Sequence, residues 1–447
     1  MRPTLLFIIL AIGFPDASFA QLAAPLPPLA SDLVQGDAGE GETPVDLETA
    51  LQWTLSSNPD LVALRQNLCV SSAAVAVARQ FPMSLNPTLS VDVRPWTFEH
   101  DTGQGSQRLD TQVSVSWMQP IEFGHRIAHR TAIAQAAYTQ SQWNILQAEL
   151  QTLVETYRQH QTAVYRREKL RVARQLAQFN AELLTTVQRQ SNAGQVGPSE
   201  LVLAEVENQS MVQRLQTAQQ DYVESLAALR RQIGLPHLAD SLLPAGDLKT
   251  PEGFARGGEE DLVRIALESH PEINAARAQA SGSRAAVCLA RAERIPIPSA
   301  GPVYEHDETG TTYYGMVLST PVPVLNTGRT LVCQREMEHN RDLVALEQLR
   351  LRTMTRVKTC VVRWNQSTEL VDRVVTSTNA IQSQTERMER LFTAGQTDLL
   401  KLLQVRQRLI EAENARLDMV WQATQAYADL LAALGATPLL GAVQAVH

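Results

Sequence analysis

Two long stretches without glycine or proline constrain this chain more than any other feature of its sequence. Residues 125–193 and residues 329–394 contain neither residue type, and both are rich in alanine, leucine, glutamine, glutamate and arginine. Because glycine and proline are the strongest helix breakers, each stretch predicts one continuous helix about 100 Å long. Aromatic residues make up only 5% of the chain, which argues against a sequence that is mostly β-sandwich, barrel or α/β core.

Each uninterrupted stretch is followed by a glycine-containing turn and a second helical pattern. The first turn contains Gly194 and Gly197, and the second contains Gly395. In the return segments, 199–233 and 396–434, apolar or small residues recur every three to four positions, which is typical of helices that pack along one seam. The sequence therefore predicts two long antiparallel helical hairpins.

This organisation occurs twice along the chain. The pair Asn58-Pro59 has a counterpart in His270-Pro271, and Ala193-Gly194 has a counterpart in Ala394-Gly395. A period of about 200 residues is too long for a solenoid repeat and indicates a duplicated domain. The predicted organisation is a first repeat at 46–235, a linker at 236–258, a second repeat at 259–436 and a C-terminal tail at 437–447.

A period-two alternation of apolar and polar residues precedes each long helix. In segment 87–118, two short runs place leucine, valine or tryptophan at every second position, with mostly polar residues between them; a weaker alternation occurs in segment 301–320. The pattern predicts a β-hairpin in each repeat. Strands of about ten residues have the length that a tilted transmembrane β-strand needs.

The first 20 residues have the pattern of a secretory signal peptide. Arg2 supplies a positive charge, an apolar run follows, and Ser18-Phe19-Ala20 is a small-x-small cleavage site. Residues 21–45 are rich in proline, glycine and acidic residues and predict a flexible lead-in. No later segment has the roughly 18 consecutive apolar residues of a spanning helix. The mature chain is therefore expected either to be soluble or to enter a membrane as a β-barrel.

Four strands in one exported chain have a consequence for assembly. A sheet that spans a membrane must leave no open edge, and four strands cannot close a barrel. Three copies of the chain would supply twelve strands in a closed ring. The predicted fold class is mainly α with a membrane β element, in which four strands per chain contribute to a trimeric 12-stranded β-barrel. The alternative is an ordinary half-buried sheet on a soluble protein.

On these features the chain resembles the TolC-type outer-membrane efflux family. The similarity covers nearly all of residues 46–436, and its junctions are more similar to the heavy-metal cation efflux branch than to the drug or protein-secretion branches. The segments that carry it are Leu47–Pro59, the strand-to-helix junctions Gln119–Gly124 and Pro321–Gly328, and Arg189 and Arg390, each followed five residues later by a glycine.

The resemblance implies a homotrimer in the outer membrane of a Gram-negative-type cell, with the helical hairpins forming an α-barrel tunnel across the periplasm. It implies a passive exit duct rather than an enzyme. The duct would dock on a periplasmic adaptor protein and an inner-membrane pump, with the turns at 190–199 and 391–399 as its periplasmic tips. The residues implied in the adaptor contact are Arg189, Gly194, Gly197, Arg390 and Gly395.

Charged residues at the start of each return helix are candidates for the closed aperture of the tunnel. Family members often carry acidic residues just past the second tip. Here that stretch contains Asp398 and Lys401, and the repeat counterpart of Lys401 is Glu200. Our hypothesis is that these three residues line or lock the aperture, with an ion pair between Glu200 and Lys401. The alternative is solvated charge at a helix start.

Two Glu-His-Asp triplets recur at the outer ends of the predicted hairpins. His100 and Asp101 belong to the first triplet, and His306 and Asp307 belong to the second. In a trimer they would ring the external mouth and could form a weak cation site, although solvated loop acids are the commoner case. We predict no fixed metal, cofactor or catalytic site, because the chain has no Walker A, G-x-G-x-x-G or G-x-S-x-G motif.

Charge and cysteine content exclude further classes. The net charge is −8, and no block of lysine or arginine is present that would hold nucleic acid. The four cysteines have no C-x-x-C spacing, and we expect them to be buried small side chains rather than a disulfide framework or metal site. These four are Cys69, Cys288, Cys333 and Cys360.

Two other functions stay open at this point. A soluble periplasmic coiled-coil adaptor or scaffold would explain the helices but not the hairpins at equivalent repeat positions. An outer-membrane duct of a type I protein secretion system would explain both. We expect metal cations or small toxic compounds as substrates, but a conduit makes few specific contacts with what it conducts.

Overall fold

The structure is a computed structural model that describes residues 43–80, 86–94, 111–194, 197–234, 242–251, 258–307, 309–393 and 399–435. Within them the same order of elements occurs twice: a short strand, two helices, a β-hairpin, a long helix and a return helix. The predicted fold class is confirmed in these elements. The predicted signal peptide and the C-terminal tail lie outside the described residues.

The elements alternate in the same way in both repeats. The first repeat comprises β1 (Thr43–Val45), α1 (Leu47–Ser57), α2 (Pro59–Arg79), β2 (Thr88–Arg94), β3 (Gln112–Pro120), α3 (Arg126–Asn192) and α4 (Pro198–Ile233). The second comprises β4 (Leu242–Pro244), α5 (Glu259–Ser269), α6 (Pro271–Glu293), β5 (Ser299–His306), β6 (Thr312–Ser319), α7 (Arg329–Thr393) and α8 (Leu399–Leu434). Helices α3 and α7 have 67 and 65 residues.

Asn58 and His270 cap helices α2 and α6 at equivalent positions. Each is followed by a proline at the first helical position, where a missing N–H costs no hydrogen bond. The Asn58 Oδ1 accepts hydrogen bonds from the backbone N–H groups of Asp60 and Leu61 at 3.1 and 3.2 Å. The His270 Nδ1 accepts one from the N–H of Glu272 at 3.2 Å. The prolines therefore begin the second helix of each pair.

The return helices end on glycines that lie against these caps. Gly234 and Gly435 have φ angles of +81° and +68°, a conformation that residues with a Cβ rarely adopt. A Cβ at Gly234 would lie 2.6 Å from the carbonyl oxygen of Ser57, and one at Gly435 would lie 2.7 Å from the Cα of His270. The backbone thus approaches so closely that only glycine fits.

Helix α3 packs against helices of both repeats, so that the two repeats share a core. It lies beside α4 of its own repeat and beside α6 and α8 of the other. The rings of Tyr157 in α3 and Tyr427 in α8 have centroids 6.0 Å apart. Burial of each large apolar side chain contributes roughly 1.5–3 kcal/mol. The buried residues of this contact are Leu150, Val154, Tyr157, Ala428 and Leu431.

Among the described helices, α2 is the one long and apolar enough to cross a membrane by length and composition, and 11% of its apolar window is buried. One such helix is weak evidence for a span. Polar residues such as Arg65 interrupt its apolar run, so a count of consecutive apolar residues does not find it. The Arg65 guanidinium donates to Glu149 Oε1 in α3 at 2.8 Å and to the Leu55 carbonyl at 2.7 Å. These contacts hold α2 against α3.

The two β-hairpins join into one antiparallel sheet with the strand order β2-β3-β5-β6. The central contact is between β3 and β5, which belong to different repeats. It pairs Val113 with His306 and Val115 with Tyr304. The sequence pattern identified the hairpins but not this contact, because alternation within a strand does not indicate which strand lies beside it.

The end of the predicted lead-in and a part of the predicted linker pair with each other. The last three residues of the predicted flexible lead-in form β1, which pairs in parallel with β4 of the predicted linker. Val45 is fully buried, and its carbonyl oxygen lies 3.2 Å from His160 Nε2. Arg167 donates to the carbonyls of Pro244 and Gly246, both at 2.6 Å. Side chains of α3 thus contact both β1 and the residues of β4 and its following turn, and composition alone does not reveal such contacts.

The expectation of four buried cysteines is wrong for two of them. Cys69 in α2 and Cys333 in α7 are exposed, Cys288 is half-buried and Cys360 is buried. All four are free thiols. Burial raises the pKa of the Cys360 thiol. Residue type alone does not indicate which face of a helix a cysteine occupies, and Cys69 and Cys333 lie on outward faces.

Replacing Gly234 with alanine should destabilise the folded chain by about 3 kcal/mol or more, because the new Cβ adds a backbone clash to the cost of a positive φ. Gly194→Ala is the matched control: its φ is +71° and nothing lies within 4 Å of the place that its new Cβ would occupy, so its cost should be about 1–2 kcal/mol. Thermal unfolding of the purified protein measures both. Equal losses in the two variants would contradict the steric explanation.

Candidate functional site

The four-stranded sheet carries one continuous apolar face. In an antiparallel sheet, residues directly opposite one another point to the same side. The register places Val91, Val115, Tyr304 and Tyr314 in one row across all four strands. Val91 and Tyr314 are 59% and 82% exposed. Other exposed apolar residues of the sheet on the same side are Leu89, Val93, Trp117, Met316 and Leu318.

The opposite face of the sheet is more polar, although Val303 and Val317 also lie on it. The next row places Asp92, Ser114, Glu305 and Tyr313 side by side. The Gln112 side-chain amide donates to Glu305 Oε1 at 3.3 Å, which links the two repeats on this face. Asp92 Oδ1 also lies 3.5 Å from Arg94 Nε in the same strand. One side of the sheet therefore suits an apolar surrounding and the other suits water.

Strands β2 and β6 are the two edges of this sheet within the chain. Edge strands present unpaired backbone N–H and C=O groups, which cannot be left unsatisfied in an apolar surrounding. Every residue of β2 and of β6 is exposed. The described sheet is thus chemically complete only if other strands pair with both edges.

The junction between sheet and long helix is held by buried ionic contacts. Glu122, whose side chain is 5% exposed, accepts two hydrogen bonds from the guanidinium of Arg130 at 2.9 and 2.8 Å. The neighbouring Arg126 is buried and donates to the carbonyls of Ala292 and Ile295 from the other repeat. Because bidentate pairs fix orientation as well as distance, these contacts set the direction in which α3 leaves the sheet.

Further along α3, polar side chains cross to α8. Asp429 of α8 forms ion pairs with Arg158 of α3 and, at 3.0 Å, with Arg363 of α7. The Tyr165 hydroxyl donates to Asp418 Oδ1 at 2.6 Å. Burial, and then this hydrogen bond, raises the pKa of Tyr165 well above its usual range. The hydroxyl is therefore protonated at neutral pH and can donate to Asp418.

The helix ends that the sequence analysis assigned to the adaptor contact are partly described. Arg189 is exposed in the last turn of α3, and its carbonyl accepts the N–H of Ala193 at 3.1 Å. Gly194 has a positive φ, and Gly197 is the N-cap of α4. Arg390 is exposed in the last turn of α7. Gly395 lies outside the described residues, and the adaptor contact stays a prediction.

The aperture hypothesis is not tested by the described side chains. Lys401 is exposed in the first turn of α8, and Glu200 lies in the first turn of α4. Asp398 lies outside the described residues, and the side chain of Glu200 is not described. An ion pair between Glu200 and Lys401 therefore stays a prediction.

The second Glu-His-Asp triplet lies at the end of β5 and in the following turn. His306 Nδ1 is 3.1 Å from Thr312 Oγ1, across the β5–β6 pair. The Asp307 N–H donates to the Thr311 carbonyl at 2.9 Å. His306 and Glu305 point to opposite faces of the sheet, so the triplet does not converge on one point. His100 and Asp101 of the first triplet lie outside the described residues.

Within the part of the chain that the structure describes, no group of three histidine, cysteine or acidic side chains is arranged to hold a metal ion. Sequence reasoning missed the β3–β5 pairing and the Glu122–Arg130 pair. The eight-residue separation of Glu122 and Arg130 spans a strand end and a helix start, so no regular periodicity marks it. The positive φ of Gly124 and His125, +79° and +58°, brings the two side chains together.

Long antiparallel helix pairs, joined to a sheet with one apolar face, one polar face and two open edges, define a channel that passes through a membrane. The chain belongs to the outer membrane efflux protein family, whose sequence profile matches residues 50–235 and 262–436. The resemblance to TolC-type proteins is thereby confirmed. No curated protein sequence matches the chain significantly.

Solved structures of outer-membrane channels share the fold at low sequence identity. CusC is 16% identical with a TM-score of 0.70, and the match covers 93% of this chain and 98% of CusC. CmeC of Campylobacter jejuni is 15% identical with a TM-score of 0.68, covering 89% and 88% of the two chains. The open state of MtrE of Neisseria gonorrhoeae is 18% identical with a TM-score of 0.69, covering 87% and 88%.

Family and fold together identify the chain as an outer-membrane efflux channel with a periplasmic extension. Channels of this family transport and do not catalyse reactions, in agreement with the prediction of a conduit. Likeness to CusC at 16% identity concerns the fold alone. Assignment to the heavy-metal branch therefore stays a prediction.

The apolar face predicts an asymmetry between neighbouring residues of β3. Val115→Arg should destabilise the membrane-inserted protein by about 2–4 kcal/mol, because a charge would face the apolar surrounding. Ser114→Arg is the matched control on the polar face and should cost less than about 1 kcal/mol. The amount of protein recovered in the outer-membrane fraction measures both. Equal recovery of the two variants would refute the assignment of the faces.

Proposed function

We propose that three copies of the chain close a 12-stranded barrel in the outer membrane and act as the passive exit duct of a tripartite efflux system. The open edges β2 and β6 carry this proposal. Strand order β2-β3-β5-β6 lets β6 of one copy lie antiparallel to β2 of the next, and a ring of three such sheets removes every edge.

The helical part supports the same proposal. Helices α3 and α7 are each roughly 100 Å long by their residue count. Each is followed by an antiparallel return helix of 36 residues, about 54 Å long. The return helices end against the turns at Asn58 and His270, where α2 and α6 begin. Side by side in three copies, these hairpins would continue the barrel as an α-barrel tunnel through the periplasm. A periplasmic adaptor protein would bind at the turns that include Gly194 and Gly197, and an inner-membrane pump would supply the energy.

The substrate is proposed only at the level of a class. Metal cations or small toxic compounds fit a conduit whose sheet has Asp92, Ser114 and Glu305 on its polar face. A type I secretion duct for polypeptides is the second candidate, because the helical hairpins would serve it equally. A soluble periplasmic adaptor is disfavoured, because it would leave the apolar face of the sheet in water.

Fractionation and mass determination test the assembly. We expect the protein to remain in the outer-membrane fraction after a high-salt wash and to have the mass of three chains by native mass spectrometry in detergent. Val115→Arg serves as the variant that should fail to insert. Recovery of wild-type protein in the soluble periplasmic fraction, or as a monomer, would overturn the proposal.

A deletion strain tests the class of substrate. Loss of the channel should increase sensitivity to metal salts or to small toxic compounds, and restoration of the wild-type chain should reverse the effect. Unchanged sensitivity to both, with loss of an exported polypeptide from the medium, would favour the type I duct instead.

Neutralising the charges at the helix starts tests the aperture. Glu200→Gln combined with Lys401→Gln should raise single-channel conductance in planar bilayers, because removal of an ion pair across the constriction loosens it. Glu224→Gln is the control, since it lies on the same helix α4, about 36 Å further from the turn. Unchanged conductance in the double variant would contradict a role of Glu200 and Lys401 in closure.

A further inference from the structure

Four helices lie side by side in the same order as the strands of the sheet. Helix α2 lies beside α3, α3 beside α6, and α6 beside α7, and the strand order is β2-β3-β5-β6. The contact between α3 and α6 joins the two repeats, whereas α2 and α7 lie at the two ends of this helix row. A ring of copies that closes through β6 and β2 would therefore bring α7 of one copy beside α2 of the next.

The two end helices carry exposed apolar residues at the spacing of a packing seam. On α7, Met337, Val344 and Leu351 recur every seven residues and are 61%, 57% and 59% exposed. On α2, Val70 and Val77 are also seven residues apart and are 70% and 63% exposed. An apolar repeat of seven residues marks the side of a helix that packs against another helix. In a single chain these faces of α2 and α7 are uncovered.

The internal repeat supplies the geometry of the missing contact. The counterpart of α2 is α6, 212 positions later, and equivalent hydrogen bonds support this assignment. Arg65 donates to the Leu55 carbonyl at 2.7 Å, and Arg277 donates to the Leu267 carbonyl at 3.0 Å. The counterpart of α7 is α3, 201 positions earlier, by the repeat of the Ala-Gly turn. The contact of α3 with α6 within one chain therefore serves as a template for the contact of α7 with α2 between chains.

In the template contact, Gly282 of α6 and Ala136 of α3 approach closely. A Cβ at Gly282 would lie 3.2 Å from the Cβ of Ala136. Beside this point, Ala132, Ala136 and Ser281 line one groove between the two helices. Ala132 lies one turn from Ala136 on the same side of α3, and Ser281 is next to Gly282. Two positions on one helix and one on the other therefore surround the point of approach.

At the outer ends of the helix row, all three corresponding positions carry sulfur. They are Cys69 of α2, in place of the serine, and Cys333 and Met337 of α7, in place of the two alanines. Cys69 and Cys333 are free thiols, and all three side chains are exposed in the single chain. Cys333 and Met337 are four residues apart and therefore lie on one side of α7. The template places Cys69 of a neighbouring copy level with Met337.

Two thiols and a thioether form a soft ligand set. Cysteine and methionine sulfur favour soft cations such as Cu⁺, whereas Mg²⁺ and Ca²⁺ prefer oxygen ligands. Cys69 and Cys333 would be separated by about one helical turn along the seam, roughly 5.4 Å, in addition to the distance across it. That separation is too wide for a direct disulfide, but a cation between the sulfur atoms bridges a wider gap.

We propose that α7 of one copy packs against α2 of the next as α3 packs against α6, and that Cys333 and Met337 of the first copy and Cys69 of the second bind a soft monovalent cation, Cu⁺ or Ag⁺. This inference rests on the ring of copies proposed above. Each thiol releases its proton to water as its sulfur binds the cation, and no oxidation state changes. Because the cation has ligands from two copies, its binding stabilises the assembly.

Cysteine cross-linking tests the packing of α7 against α2. Val70 and Met337 occupy the positions of close approach. In a chain that carries Cys69→Ser and Cys333→Ala, which are the residues of the other repeat, we expect Val70→Cys with Met337→Cys to form a disulfide between copies. Diamide serves as the oxidant and takes up the two thiol hydrogens. Cross-linked products should have two and three times the mass of one chain on a gel without reducing agent, and either added cysteine alone should give none.

Native mass spectrometry of the full-length protein in detergent, after addition of Ag⁺ and removal of the excess, tests the cation site. The wild-type trimer should retain one Ag⁺ per chain, and Cys69→Ser with Cys333→Ala should lose it while staying a trimer. Met337→Leu keeps a similar volume and should weaken binding by at least about tenfold, because even loss of a group that supports a ligand costs that much. Cys288→Ala is the matched control: this half-buried thiol lies on α6, within the helix row, and its loss should leave Ag⁺ binding unchanged.

The outcomes separate this inference from the assembly on which it rests. A trimer in which Val70→Cys and Met337→Cys do not cross-link would overturn the packing of α7 against α2, and the site with it. Cross-linking together with full Ag⁺ retention in the Cys69→Ser, Cys333→Ala variant would overturn the site and leave the assembly standing. A monomeric wild type would overturn both. Cross-linking between copies, with Ag⁺ lost from that variant and kept in Cys288→Ala, supports the inference.

Discussion

The packing of α3 against α6 and α8 of the other repeat is the contact on which the rest of the structure depends. It joins the two repeats through a buried aromatic and aliphatic cluster, which includes Tyr157 and Tyr427, and through the ion pairs of Asp429. Two copies of a repeat that only followed one another along the chain would be two separate hairpins. Because α3 lies within the core of both, the hairpins have a fixed relation, and the strands that lead into them can meet in one sheet.

The sheet and the helices of one chain are suited to different surroundings. On the sheet, the apolar row through Val115 and the polar row through Ser114 face opposite ways, so the boundary between hydrocarbon and water follows the strands. Where β3 ends, the chain must change from the alternating pattern of a strand to the helical pattern of α3 within a few residues. The bidentate pair of Glu122 and Arg130 lies at this point, and its charges need the hydrogen bonds that fix them.

Much of the architecture could be predicted from local pattern. The absence of glycine and proline predicted α3 and α7, and the alternation of apolar and polar residues predicted the four strands. Contacts between distant segments were not predictable in this way. These contacts depend on which face or edge of one element meets another. They include the pairing of β3 with β5, the pairing of β1 with β4, and the packing that leaves Cys69 and Cys333 exposed. Asn58 and His270 were recognised as repeat markers, and their caps are local contacts with the helices that follow them. The additional bond from Asn58 Nδ2 to the Gln232 carbonyl depends on the end of α4 being near.

The pairing of β3 with β5 has a consequence for how the chain folds. Val113 and His306 are neighbours in the sheet, although the whole of α3, α4, α5 and α6 lies between them in sequence. A contact of this range cannot form until the intervening chain is present, and its loop-closure entropy slows folding. The helical hairpin of the first repeat can form early from local contacts. The complete sheet therefore forms late in folding. The apolar face of β2 and β3 stays uncovered until β5 and β6 have been synthesised.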